Sequence, residues 1–223
     1  MKYLALFINI FTDPIVSFQE LKKTNDWKIS FMPFIVLMVL GAVGYLLLQD
    51  LVLDESVKWI ENSSQIPDDQ KEDALKNMTG PFSILFMQLV SVIESPLRIL
   101  MTTLIILLIV KLFFGESTSY SNLLPYVSFS YLVIVLESVI KIPLMLNKWS
   151  TEVYTGLGLL DIGKKGTFIN NLFAAMDLFS VWRIILIGIG LSVYYKKSAK
   201  PFIIAIFIYW FVQINIFAVF KSL

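Results

Sequence analysis

Apolar residues along this chain fall into long blocks separated by polar stretches. "FMPFIVLMVLGAVGYLLLQ" fills 31–49, an almost unbroken apolar run covers 82–114, and further blocks fill 123–146, 178–195 and 202–220. A helix needs about 20 predominantly apolar residues to cross the hydrocarbon core of a bilayer. Backbone groups in lipid must satisfy one another, so blocks of this length predict transmembrane helices. The 82–114 block is too long for one span. Its 33 residues would reach ~50 Å as straight helix, against a core of about 30 Å. Pro96 in "ESP" disfavours helix at Ser95, which predicts a break there. Residues 82–93 then form a re-entrant or interfacial helix, and 97–114 the second span. The pattern predicts an all-α, polytopic membrane protein of one domain, 1–223. Its five spans lie at about 31–49, 97–114, 123–146, 178–195 and 202–220.

The polar stretches predict smaller elements. Residues 1–30 read as an interfacial lead-in, in which Asp13 and Pro14 open a helix. Ile15, Phe18 and Leu21 recur there at helical spacing, and Trp27 and Lys28 mark a membrane edge. No small-residue cleavage site follows the apolar run Tyr3–Ile10, so no cleaved signal peptide is expected. Residues 50–80 predict a helical hairpin in water: an apolar stripe continues through Leu51, Leu53, Val57 and Ile60, and Pro67 then precedes a run of acids. Asp68, Asp69, Glu72 and Asp73 lack the spacing and glycine turn of a calcium loop and read as a solvated face. Residues 147–176 form a glycine-bearing polar segment long enough for an interfacial helix. Gly41, Gly44, Gly188, Gly190 and Ser192 are small residues suited to close helix contact.

Composition narrows the chemistry. The chain is 57% hydrophobic and 16% charged, with mean hydropathy +0.76; soluble domains are nearer 45–50% and about 25%. It has no Cys and no His, which excludes disulfides, thiolate sites, a Ser-His-Asp triad and a His-ligated metal. No glycine-rich phosphate loop is present, and no cofactor is expected. A net charge of +1 gives no sign of nucleic acid. Lysines and arginines divide evenly between the two sides of a five-span topology. Those on the N-terminal side cluster nearer the span ends, which orients the N-terminus inside and the C-terminus outside.

Six charged residues fall at membrane depth: Glu94 with Arg98, Glu137 with Lys141, and Arg183 near Asp177. The first two pairs are at i, i+4 with the acid N-terminal, so each can close along its own helix. Ionisable groups in the membrane are costly and face the bundle interior. Three acids beside three bases fit an interhelical ion-pair network that fixes packing. They favour that network over the alternative, a polar cavity between the second, third and fourth spans with the "ESP" break at its edge.

Three segments carry a resemblance: "IFTDPIVSFQELKKTNDWKISFMPF", "ESPLRILMTTLIILLIVKLFFGESTSYSNLLPYVSFSYLVIVL" and "LFAAMDLFSVWRIILIGIGLSVYYKKSAK". In their order and content the chain resembles the Yip family of multispanning membrane proteins, in the form of its bacterial members. The resemblance implies five spans, a cytoplasmic N-terminus and a place in the bacterial cytoplasmic membrane. Eukaryotic members act in vesicle traffic and bind Rab-type GTPases through a longer N-terminal region, so Rab binding is not expected here. Two functions follow. One is a non-enzymatic scaffold or adaptor that contacts the lipid bilayer, a membrane protein partner or a second copy of itself. The other is a small transporter, or transporter subunit, with a polar cavity around Glu94, Arg98, Glu137 and Lys141. A membrane-embedded enzyme would need carboxylates such as Glu94 and Asp177 to converge.

Overall fold

The computed structural model describes residues 2–24 and 26–222; Met1, Asn25 and Leu223, which fall within the expected 1–30 segment and 1–223 limits, lie outside it. The chain opens with α1 (Lys2–Thr12) and α2 (Pro14–Thr24), makes a 3-10 turn at Trp27–Ser30 and enters α3 (Phe31–Asn62). α4 (Asp68–Met78), α5 (Pro81–Phe114), α6 (Tyr120–Ser130) and α7 (Val133–Lys148) follow. After a second 3-10 turn at Leu157–Leu160 come α8 (Phe168–Ala175), α9 (Leu178–Tyr195) and α10 (Ala199–Ser222). Five described segments are long and apolar enough to cross a membrane: Trp27–Asn62, Pro81–Phe114, Tyr120–Lys148, Leu178–Tyr195 and Ala199–Ser222. The protein is a polytopic helical membrane protein. Large apolar side chains such as Ile35, Val39, Leu108 and Ile208 point outward, as a surface solvated by lipid requires.

Two expectations are corrected. No break occurs at "ESP": α5 runs unbroken from Pro81 to Phe114 with Pro96 inside it. A proline in mid-helix forfeits one hydrogen bond and clashes with the preceding turn, at about 3 kcal/mol. Ending the helix in lipid would strand several backbone groups at several kcal/mol each, so the helix continues through the proline. Conversely, the third span is divided where unbroken helix was expected. α6 stops at Ser130 and α7 starts at Val133, with the turn Tyr131–Leu132 between them. Leu132, Ile134 and Val135 donate to carbonyls three residues back, at 2.9–3.1 Å, so the chain tightens by a 3-10 step. Ser128 and Ser130 donate to the Pro125 and Tyr126 carbonyls just before it; such back-bonding bends helices.

Two buried clusters hold the bundle. One joins α3, α5, α6, α9 and α10 around Ile99, Val110, Leu123 and Leu191. The other seats α1 and α2 on α6 and α9 through Ile10, Phe18, Phe129 and Leu186. Asp13 caps α2, its carboxylate accepting from the Val16 N–H at 3.2 Å. The apolar face of α2 is taken up by the bundle: Phe18 stacks on Tyr126, ring centres 5.8 Å apart, over Gly190, where a Cβ would meet the Phe18 ring at 3.2 Å. Ile15 stays exposed. Lys22 donates to the Val193 and Tyr194 carbonyls at 2.7 and 2.6 Å, covering acceptors that the end of α9 leaves open. Burial, and then the charge of Lys196, hold its ammonium below the ordinary lysine range.

The ends of the bundle are tied separately. At one, Tyr194 contacts Thr118 and Asn122, and Lys197 pairs with Glu116. At the other, Trp149 donates to Asp54 and Thr151 to Glu55. These are the loop groupings that five successive crossings produce.

The tightest crossing lies between α3 and α5. A Cβ on Gly41 would stand 2.2 Å from the Ser91 carbonyl oxygen, a backbone atom that cannot swing away, whereas one on Gly44 would meet only Ile142 at 3.5 Å. Gly41→Ala should therefore cost about 1–3 kcal/mol by overpacking. At roughly 2–4 °C per kcal/mol for a chain of this size, thermal unfolding in detergent should show a clear fall for Gly41→Ala and almost none for Gly44→Ala.

Candidate functional site: a charged cavity between four helices

Beside that crossing, α3, α5, α7 and α9 line an open cavity of about 280 Å³. α3 gives it an apolar wall with Leu37, Leu40 and Leu48, opened by Gly41 and Gly44. α5 presents Ser91, Glu94 and Arg98, one helical turn apart, on the face turned to α3. α7 adds Glu137, Ser138 and Lys141, and α9 adds Arg183. Five of the six charged residues singled out in the sequence thus line one space. The first span forms a wall that the sequence did not assign to it.

Both i, i+4 pairs are closed. Arg98 donates to Glu94, and the pair survives Pro96 because the helix runs on through it. Lys141 donates to Glu137 at 2.5 Å. Their surroundings differ: Glu94 and Arg98 are 56% and 52% exposed, Glu137 and Lys141 only 19% each. The α7 pair is therefore the more dependent on its partner.

Asp177 goes elsewhere. It stands at the N-cap of α9, where one carboxylate oxygen accepts from Phe179 and Ser180 N–H at 2.8 and 3.0 Å and the other accepts from the Ser180 hydroxyl at 2.6 Å. It lines a different, almost wholly apolar pocket beside Leu178, Val181 and Trp210. Gly156 lies against it, paired as an antiparallel bridge; a Cβ there would meet the Met176 carbonyl oxygen at 2.1 Å. Glu94 and Asp177 share no cavity, so the carboxylate convergence an embedded enzyme would need is not formed. Among the described residues no three His, Cys, Asp or Glu side chains are grouped as metal ligands.

Arg183 therefore has a different partner set from the one its sequence neighbourhood implied. Its guanidinium donates to the Ser180 hydroxyl at 3.2 Å and lies 4.8 Å from the centre of the Tyr131 ring. Tyr131 is held in turn by its hydroxyl, 2.6 Å from that of Thr102 on α5. Two signals for this were present. Asp177 directly precedes the apolar block and Ser180 follows three residues on, the spacing of a helix cap. Asp177, Ser180 and Arg183 also recur every three residues along one side of α9. The contribution of Tyr131 had no local signal, since it comes from another span.

Lys141→Met leaves the Glu137 carboxylate without its cation. That should cost about 1–3 kcal/mol, and the paired change Glu137→Gln with Lys141→Gln should recover most of it. The matching single changes at Glu94 and Arg98 should cost less, because those side chains are half exposed. Unfolding temperatures in one detergent decide this; a Lys141→Met protein as stable as the parent would mean that the pair holds nothing together.

Comparison with family models matches residues 8–220 to the Yip1 domain. Comparisons with the curated proteins and with the solved structures find no match. The five crossings agree with a match that covers nearly the whole chain: this chain belongs to the Yip1 domain family of membrane proteins.

Proposed function

We propose that this protein is a non-enzymatic membrane protein that takes a polar ligand into the cavity between α3, α5, α7 and α9, as a small transporter or the binding subunit of one. The observation that carries this is the convergence of charge from three helices on one space. A network serving only to fix packing would bring its charges together with no room between them. Here about 280 Å³ stands open among Glu94, Arg98, Glu137, Lys141 and Arg183. The Yip1 family is not a known enzyme family, which agrees with this reading. Ser138→Phe would place a ring in the cavity from α7 without touching a charge. Native mass spectrometry of protein extracted gently from its membrane should find a co-purifying small molecule or lipid on the parent and not on Ser138→Phe. Equal retention by both would end the proposal.

The scaffold reading keeps one observation of its own. The exposed apolar surface of α5 continues past the cavity to Phe82, Leu85, Phe86 and Leu89, far enough along a 34-residue helix to exceed a bilayer of about 30 Å. A membrane protein partner or a second copy is the natural cover for that overhang. A protein recovered at fixed stoichiometry in the same extraction, and lost on Phe82→Ser with Phe86→Ser, would favour it.

The proposed setting is the bacterial cytoplasmic membrane, with the N-terminus inside and the C-terminus outside. Because the chain has no cysteine, one introduced cysteine reports cleanly. Lys76→Cys on α4 should react with an impermeant maleimide in intact cells, and Lys200→Cys, at the start of α10, only after lysis. The reverse pattern would invert the topology.

A further inference from the structure

The charges of the cavity do not cancel. Arg98, Lys141 and Arg183 are three cations, and Glu94 and Glu137 are two carboxylates, which leaves one positive charge over. The surplus is local. Arg98 and Lys141 each have a carboxylate on their own helix. Arg183 has none: among the described residues its guanidinium donates only to Ser180. A guanidinium carries five N–H donors, and Arg183, which lines the cavity, spends one on a side chain.

We infer that the cavity is an anion site that takes an oxyanion of the phosphate class, with Arg183 as its anchoring cation; this rests on the cavity function proposed above. Arg183 is fixed without being neutralised. The Tyr131 ring holds one face of it at 4.8 Å, and Thr102 pins that ring through its hydroxyl. The acid nearest in sequence, Asp177, is occupied by the α9 cap and reaches Arg183 only through the Ser180 hydroxyl. A part-buried cation without a carboxylate is unfavourable until an anion joins it. The planar fork of arginine matches two oxygens of a phosphate at once. A cationic ligand would meet net repulsion. The space of about 280 Å³ has room for a phosphate group. The shared chemistry is a phosphate oxyanion, brought either as a lipid headgroup or as a free ion.

The test uses the full chain in nanodiscs. In phosphatidylcholine nanodiscs, inorganic phosphate is titrated and thermal unfolding followed. In nanodiscs of equal phosphatidylcholine and phosphatidylglycerol, the lipid retained on release is identified by native mass spectrometry. Stabilisation by phosphate assigns a free anion, and selective retention of phosphatidylglycerol assigns a headgroup; either supports the inference. Arg183→Gln should weaken the response by about tenfold, the worth of one charge-assisted contact, and Arg183→Lys should keep most of it. Glu94→Gln should strengthen it, because it removes a carboxylate and raises the surplus. That opposite sign keeps the test decisive even where Arg183→Gln fails to fold. No preference in either nanodisc, or a Glu94→Gln protein that binds the anion less well, overturns the inference. If Ser138→Phe empties the cavity while Arg183→Gln leaves the anion preference unchanged, the cavity function stands and the anion assignment falls. If Ser138→Phe leaves the retained molecule in place, both fall.

Discussion

The Ser91 carbonyl oxygen occupies the place where a side chain at position 41 would begin, and most of what is distinctive here follows from that approach. It brings the backbones of α3 and α5 together about a third of the way along each helix. The residues of α5 one and two turns further on, Glu94 and Arg98, are thereby carried to the side of the crossing where α7 and α9 pack. The cavity is the space left beside the crossing, and glycine at 41 and 44 keeps it open on the α3 side. A second glycine contact, Gly188 against Ile203, does the same for α9 and α10. In lipid, apolar burial gives helices little reason to associate, and such close contacts take over as the source of cohesion.

The five crossings were plain in the sequence because lipid demands long apolar helices and little else in the chain resembles one. The N-terminal cap at Asp13, the helix start after Pro67 and the small residues at the crossings were plain for similar local reasons. Pro96 misled because the rule it invokes holds in water, where a broken helix can bond to solvent. Tyr131–Leu132 carries no such signal: nothing in "FSYLV" is a breaker, and the 3-10 bonds of Leu132, Ile134 and Val135 carry the chain through the turn. In the site, the two pairs at i, i+4 could be read because both members share a helix. The wall from α3 and the stacking of Tyr131 on Arg183 could not, since they depend on how spans meet. Asp177 was set against Arg183 by proximity along the chain, although its place directly before an apolar block made the cap the closer alternative.

Three cations in one protein interior are here stabilised in three ways: a half-exposed pair on α5, a closed pair on α7, and on α9 an arginine supported by a ring and a hydroxyl. The first two leave the cavity locally neutral. The third gives it a sign. A balanced set of six would have described a lock between helices; with one carboxylate at a helix end, the residues lining the cavity carry one more cation than carboxylate. That difference rests on Asp177 accepting two backbone N–H bonds and one hydroxyl, a helix-capping role with no bearing on ligands in itself.

The arrangement of Arg183 also bears on how the chain is made. Glu94 with Arg98 and Glu137 with Lys141 travel as neutral units, each complete once its own helix has formed, so α5 and α7 can leave the translocon without waiting for a neighbour. A lone arginine inside a spanning helix opposes insertion, and Arg183 is the sixth of the 18 residues of α9. α9 has no carboxylate of its own that pairs with Arg183, but what it leans on lies upstream. Thr102 and Tyr131 both precede it in the chain and emerge from the ribosome first. Synthesis from the N-terminus therefore makes the hydroxyl and the ring before the arginine, so the groups that support its charge precede it into the membrane.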